Sequence, residues 1–354
     1  MIFRTVLHDV FVFQFGFHYQ VAGYDVYMGE VLLAITALCL FAWLSIKGVS
    51  ITGIFQTILV ISLVSGICIV GLAALINTQV SWSNFSPGYP PNITGQFASI
   101  LAILAISPWA FVGFDTIPQA AEEFNFSPKK SLSIMVVSIL FGAAAYIALN
   151  MITISILPNG FENWVDYINA SKKSTGLITL PTFYSTFLLL GNIGLAFLSI
   201  SVIAAILSGL LGFYMATSRL LFAMARDDVI PKVFSELHTK YKTPRNAILF
   251  ILTISLIAPF IGRTVLGWIV DMSSLGAAIG YAYTSAVAFK YAKENKNTIV
   301  MITGFIGFIC AVCFAIVLLV PIPSLNISLG RESYLFLLIW TVMGYYFYTQ
   351  TFDK

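Results

Sequence analysis

The feature that most constrains this chain is a succession of long apolar runs with almost no charge inside them. A bilayer's hydrocarbon core is about 30 Å thick, and a helix crosses it in roughly 20 residues. Nine segments reach or approach that length: 29–46, 51–76, 97–118, 131–156, 184–213, 246–261, 264–289, 298–321 and 333–349. Only 9% of the 354 residues are charged, where a soluble domain carries about 25%. A further 59% are hydrophobic, more than a water-soluble protein can hide while coating itself with polar groups. The expected fold class is therefore an all-α polytopic membrane protein with about nine transmembrane helices. The fifth is expected to continue beyond the membrane to about Arg226, and Gly262-Arg263 to form a tight turn. The net charge is only +3, and its dispersed basic residues argue against nucleic acid as a partner.

Loop charge sets the orientation. If the ninth helix ends inside, the inner loops hold 13 of the 18 Lys and Arg and the outer side 5. The positive-inside rule then places the C-terminus in the cytoplasm and, with nine spans, the N-terminus outside. Residues 1–28 have neither an apolar run long enough to span nor a signal-peptide pattern, since Arg4, His8 and Asp9 interrupt the first 20 residues. Either the N-terminus crosses without a signal, or an odd number of helices precedes it; the second reading is adopted. The long outer loops 77–96 and 157–183 are rich in Asn, Ser, Pro and Gly and read as plain connectors. Asn84, Asn92, Asn169 and Asn326 match the glycosylation pattern. Cys310 and Cys313 have CxxC spacing but lie in an apolar run with no second pair or His nearby, and read as packing residues.

The third hydrophobic segment departs from an ordinary helix. Pro108 removes a backbone donor in mid-run and disfavours helix at Ser107, Gly113 and Pro118 follow, and Asp115 sits among them. An ionisable group at that depth usually faces a cavity or a partner. One reading is a kinked helix with Asp115 near the interface. The other is a discontinuous helix, unwound from Trp109 to Asp115, whose free carbonyls and amides line a water-filled pocket. Its carbonyls would suit a substrate ammonium and its amides an anion.

The stretch from Trp109 to Lys130, WAFVGFDTIPQAAEEFNFSPKK, resembles the sixth helix and following loop of amino acid permeases of the amino acid–polyamine–organocation superfamily. That pattern has an aromatic-rich break, here Phe111, Gly113, Phe114 and Asp115, then Glu122 and Glu123, then Asn125 and Pro128 with Lys129 and Lys130. Phe126 and Ser127, which separate the Asn from the Pro, depart from it. Ser218 to Pro231 resembles the family's loop after the eighth helix, Thr243-Pro244-Arg245 the start of its ninth, and Ile46-Lys47-Gly48-Val49 the link between its fourth and fifth. The resemblance implies a five-plus-five inverted-repeat (LeuT-like) transporter fold lacking its first three helices. All of 1–354 would be one membrane domain, with 29–76 the remnant of the first repeat, 97–291 the second repeat and 298–349 two C-terminal helices.

It further implies secondary transport of an amino acid or related amine by alternating access, without covalent chemistry. Substrate would be held at Trp109, Ala110, Phe111, Val112, Gly113, Phe114 and Asp115, the ammonium at carbonyls near Trp109 and Val112. Glu122 and Glu123 read either as a solvated helix end or as an inner gate. Ser199, Ser201 and Ser208 could offer hydroxyls to sodium or simply bond their own helix. The run 51–76 has Ser62 or Leu63 where some family members place a lysine, which argues against that proton route. Asp271 and Glu30 read as structural. The three dispersed His make no metal site, and no cofactor is expected beyond a coupling ion, Na+ or H+, unless transport is exchange. The implied partners are a small-molecule substrate and the lipid of a plasma membrane. The rival reading is a non-transporting remnant or membrane interaction subunit.

Overall fold

The computed structural model describes residues 2–7, 12–77, 80–89, 93–121, 127, 129–321 and 328–352. In chain order the helices are α1 (Ile2–Thr5), α2 (Met28–Lys47), α3 (Val49–Ile76), α4 (Ile93–Ala110), α5 (Thr116–Gln119), α6 (Lys129–Ser155), α7 (Trp164–Ser171), α8 (Pro181–Arg226), α9 (Arg245–Ser255), α10 (Ala258–Ile261), α11 (Val265–Glu294), α12 (Thr298–Leu319) and α13 (Arg331–Phe352). Strands β1 (His18–Val21) and β2 (Tyr24–Tyr27) form a hairpin ahead of α2.

All nine apolar segments are mainly helical. Among the described residues, six helices are long and apolar enough to cross a bilayer: α2, α3, α6, α8, α11 and α12. The chain is a multi-pass membrane protein. The third and sixth segments are shorter because both are interrupted. In the sixth, Pro259 cannot donate the amide that would meet the Ser255 carbonyl, and the helix breaks at Leu256 and Ile257 before α10 begins. The ninth, α13, is 22 residues long but carries four consecutive aromatics, Tyr345 to Tyr348. As expected, α8 runs on to Arg226, and a 3-10 turn closes Gly262–Thr264. Within α8, Gly191 takes φ 62°, ψ −147°, a conformation that costs a glycine little, and bends the helix there. At about 1.5 Å per residue, the part after Gly191 still exceeds the bilayer core, so its C-terminal end stands outside the hydrocarbon.

The described residues group into two compact units. The first comprises Met1–Gly88 with Gly113–Phe260. Its inner core packs Phe41, Ala42 and Leu44 of α2 against Leu211 and Tyr214 of α8 and Ile248 of α9. The second comprises Tyr89–Val112 with Ile261–Lys354, around Ala105, Leu275, Leu318 and Leu329. In the second unit α11 and α12 pack at Gly304 and Gly307, where an added Cβ would lie 2.9 Å from the Phe289 amide nitrogen and 2.8 Å from the Ser285 hydroxyl.

Both ends of α2 are pinned in the first unit. At its start, Met28 N–H donates to the Phe17 carbonyl (2.9 Å) and Gly29 N–H to the Phe15 carbonyl (3.2 Å). The hairpin thus satisfies two of the amides that a helix N-terminus leaves over. Arg4 forms a two-pronged ion pair with Glu30 in the first turn and donates to the Asp25 carbonyl, 2.7 Å; the carboxylate raises the Arg4 guanidinium above its usual range. The Tyr19 hydroxyl donates to the Phe260 carbonyl of α10 at 2.5 Å. At the far end, Thr243 Oγ1 donates to the Ile46 carbonyl (2.8 Å) and Lys47 Nζ to the Tyr241 hydroxyl (3.0 Å). Lys47 also lies 5.0 Å from the Trp43 ring centroid and 5.2 Å from that of Tyr241, and its ammonium holds the Tyr241 phenol below its usual range. Glu30, expected to be structural, therefore has a specific partner.

The loops 77–96 and 157–183 are not plain connectors. Trp164 Nε1 donates to the Pro87 carbonyl (2.9 Å), and Asn84 Nδ2 to the Ser155 carbonyl (2.9 Å). The Asn163 side chain accepts from the Val165 and Asp166 amides and so caps α7. Tyr167 of α7 is 1% exposed, and burial pushes its phenol well above the usual range. Asn84, a glycosylation match, uses its amide in packing; Asn169 is exposed on α7, and Asn92 and Asn326 lie outside the described residues. Cys310 and Cys313 are exposed on α12 rather than packed, which on an apolar helix means a lipid-facing position.

At the α3–α8 crossing the backbones come close at Gly66, where a Cβ would fall 1.7 Å from the Ser201 hydroxyl. Overpacking of this kind typically costs about 1–3 kcal/mol. Gly66→Ala is expected to lower the thermal unfolding midpoint in detergent, and Ser201→Gly on the same chain to restore part of the loss; an unchanged midpoint for the single variant would contradict the crossing.

Candidate functional site

The third segment breaks, but later than its sequence suggests. Trp109 and Ala110 remain in the last turn of α4, and the irregular stretch runs from Phe111 to Asp115. The helix survives Pro108 because of its neighbour. Pro108 has no N–H for the Leu104 carbonyl, and the Ser107 hydroxyl donates to that carbonyl instead, at 2.8 Å. Phe111 N–H then donates to the Ser107 carbonyl at 3.0 Å, which completes the turn.

Beyond Ala110 the backbone turns. Val112 N–H donates to the Trp109 carbonyl at 3.2 Å, a tighter loop than an α-turn. Gly113 follows at φ +132°, where an L side chain is strained. Its amide donates to Asp115 Oδ1 at 2.9 Å, and its carbonyl accepts from Thr116 N–H (3.1 Å) and from the Thr116 hydroxyl (2.6 Å). Asp115 therefore bends back to hold the break, and Thr116 starts α5. Phe111 and Val112 belong to the second unit and Gly113 to Asp115 to the first. Trp109 is 44% exposed and Asp115 half-buried.

Of the two carbonyls singled out for an ammonium, that of Trp109 already accepts one bond, while that of Val112 has no partner among the described residues. The Asp115 carboxylate has no cationic partner among them either. Among the described residues the Val112 carbonyl is an unpaired acceptor in the second unit, and the Asp115 carboxylate is a half-buried acid in the first. Glu122 and Glu123 lie outside the described residues.

The three serines of α8 part company. Ser201 donates to the Phe197 carbonyl (2.9 Å) and the Ser62 carbonyl (3.3 Å), and Ser208 accepts from Gln56 Nε2 (2.7 Å). Both tie α8 to α3. Ser199 is 2% exposed and its hydroxyl has no partner among the described residues. Gln56 is a residue that sequence reasoning passed over. The signal was an amide side chain in a run otherwise read only for a missing lysine. Asp271 has the structural role expected of it: its Oδ2 accepts from Gly330 N–H (3.0 Å) and from the Ser333 hydroxyl (2.7 Å) at the start of α13. Among the described residues no three His, Cys, Asp or Glu side chains converge as metal ligands would.

A sequence profile of the family described as amino acid permease matches residues 7–344. The chain is 26% identical to the methylthioribose transporter of Bacillus subtilis (strain 168), over 75% of this chain and 53% of that protein. It is 23% identical to the branched-chain amino acid permease of the same organism, over 92% of this chain and 64% of the relative. It is 28% identical to that organism's glutamate/serine transporter, over 64% and 41% respectively. The chain thus spans between about two fifths and two thirds of these relatives' lengths.

Asp115→Ala removes the acceptor of the Gly113 amide. It is expected to lower stability by about 1 kcal/mol, the usual net worth of such a bond, while Asp115→Asn, which keeps an acceptor oxygen, stays close to the parent. Thermal unfolding of the three proteins in one detergent makes the comparison, and equal midpoints would remove Asp115 from the architecture of the break.

Proposed function

The chain belongs to the amino acid permease family, and on that premise we propose that it provides the membrane-spanning body of a secondary transporter for an amino acid or related amine. The observation that carries the reading is the break at Phe111 to Asp115. Irregular backbone at membrane depth persists only where protein covers it or water reaches it, and transporters place midplane sites at such breaks. The carbonyls near Trp109 and Val112 would receive the substrate ammonium, with Trp109 stacking over its side chain. Glu122 and Glu123 would form the inner gate through ion pairs with neighbouring lysines. Substrate acts by changing the relative population of inward- and outward-open states, which needs differential affinity and no covalent step.

The substrates named for the relatives run from branched-chain amino acids and glutamate/serine to methylthioribose, so the panel tested must be wide. Sodium coupling would rest on Ser199, the one member of the serine trio without a partner among the described residues. A lysine-dependent proton route has no Lys or Arg in 51–76 to use. Exchange is the third mode. The C-terminus is proposed to face the cytoplasm of a plasma membrane, on the loop-charge asymmetry.

Purified chain in liposomes is expected to take up at least one labelled solute from a panel of the common amino acids and methylthioribose, saturably, with Trp109→Ala and Gly113→Ala lowering the rate tenfold or more. Uptake that requires an inward sodium gradient favours coupling, and uptake that requires internal unlabelled solute favours exchange. Stable insertion with no saturable uptake would support the non-transporting reading. A fluorescent reporter fused after Lys354, which folds only in the cytoplasm, is expected to light up; a dark fusion with an active periplasmic reporter would invert the topology.

A further inference from the structure

The hairpin ahead of α2 is short, aromatic and awkward in either water or oil. Sequence alternation runs through it: Phe13, Phe15, Phe17, Tyr19 and Val21 alternate with Gln14, Gly16, His18 and Gln20. The strands pair in register from His18 opposite Tyr27 to Val21 opposite Tyr24. Phe17 stacks on Tyr19 (6.0 Å between centroids) and His18 on Tyr27 (5.3 Å). Phe17 is nonetheless 69% exposed, Phe15 51% and Tyr24 45%. An isolated two-stranded hairpin is marginal in water.

Its depth is set from two sides. β2 ends at Tyr27 and α2, a bilayer-crossing helix, begins at Met28 with no linker. The Phe15 ring lies against the first turn of α2, where a Cβ on Gly29 would come 2.6 Å from it. Tyr19 is bonded to Phe260 at the end of a second apolar helix. The hairpin is therefore held at the level where two apolar helices end. It cannot sink into hydrocarbon, because a two-stranded sheet leaves the outer-edge N–H and C=O groups of both strands without ladder partners, and lipid tails supply none. Arg4 pairs with Glu30, and the Asp25 carboxylate accepts a hydrogen bond from the Gln20 side-chain amide at 2.9 Å. Among the exposed side chains of 13–27 are the rings of Phe15, Phe17 and Tyr24, and aromatic side chains favour the headgroup level, where polar backbone is hydrated and rings are not.

We propose that residues 13–27 are an interfacial anchor: the hairpin lies in the headgroup–acyl boundary of the membrane that α2 crosses, with the Phe15 and Phe17 rings inserted among the lipids and the edge backbone in hydrated headgroups. The occupant of this aromatic face is lipid. The apolar surface continues from the hairpin onto α2, where Leu32 is 48% exposed.

The test is depth measurement on the full chain in phosphatidylcholine vesicles. Cys39, Cys68, Cys310 and Cys313 are replaced by Ala, and a nitroxide is placed in turn at Phe15→Cys, Phe17→Cys, Gln14→Cys and Gln20→Cys. All four positions are exposed, and unfolding midpoints like that of the cysteine-free parent show that losing the Phe15 contact with α2 and the Phe17 stack on Tyr19 leaves the fold intact. Power saturation with oxygen, which partitions into lipid, and with a neutral nickel chelate, which stays in water, reads the depth. Labels at 15 and 17 are expected to favour oxygen over nickel by several-fold and labels at 14 and 20 to favour nickel. Nickel access at all four would overturn the proposal by placing the hairpin in water. Low access to both reagents at 15 and 17 would also overturn it, by showing that protein, a further segment or a second copy, covers the face.

Discussion

A backbone amide or carbonyl left unpaired in hydrocarbon costs several kcal/mol, because lipid offers nothing in exchange for the lost water. Four irregularities among the described residues are arranged around that cost. The first amides of α2 are met by carbonyls of the hairpin. The carbonyl orphaned by Pro108 is met by the Ser107 hydroxyl. The Gly113 amide is met by the Asp115 carboxylate. The Gly330 amide, at the start of α13, is met by Asp271. In each case a neighbouring polar group repairs what the helix cannot, and the repair decides where the helix stops.

The same solvent removes the usual driving force for packing. Lipid tails are as apolar as leucine, so helices associate through close van der Waals fit and scattered hydrogen bonds, each worth on the order of 0.6 kcal/mol. Small residues therefore matter more than large ones. Gly66 lets α3 approach Ser201 of α8, and Gly304 lets α12 approach the backbone of α11 at Phe289. The Gln56–Ser208 and Ser201–Ser62 bonds join the same pair of helices, α3 and α8, along its length.

Helix positions were legible in the sequence because a bilayer imposes one length on every span, and charge-free runs of that length have few other uses. The break near Gly113 was legible because Pro108, Gly113 and Asp115 each disfavour regular helix at depth. Its starting point was not, since that depends on one hydroxyl of Ser107 folding back three residues. The hairpin escaped because a window wide enough to find spans averages away a period of two. The loops 77–96 and 157–183 were misread for another reason: Asn, Ser, Pro and Gly announce turns, but the bond from Trp164 to Pro87 joins residues far apart in the chain, and no local pattern encodes it. The serine trio was read as a set because it lies on one helix; which hydroxyls are already committed depends on what α3 presents to them.

The pinning of α2 has a mechanical meaning. Its C-terminal end is bound to the segment that leads into α9, through Thr243 and Tyr241, and its N-terminal end to α10 through Tyr19. A pair of helices fastened at one end can slide lengthwise or splay. Fastened at both, it behaves as a closed frame: a shift of a single helical rung, about 1.5 Å, would have to open hydrogen bonds at both membrane faces together. These ties hold α2 against lengthwise shear past α9 and α10.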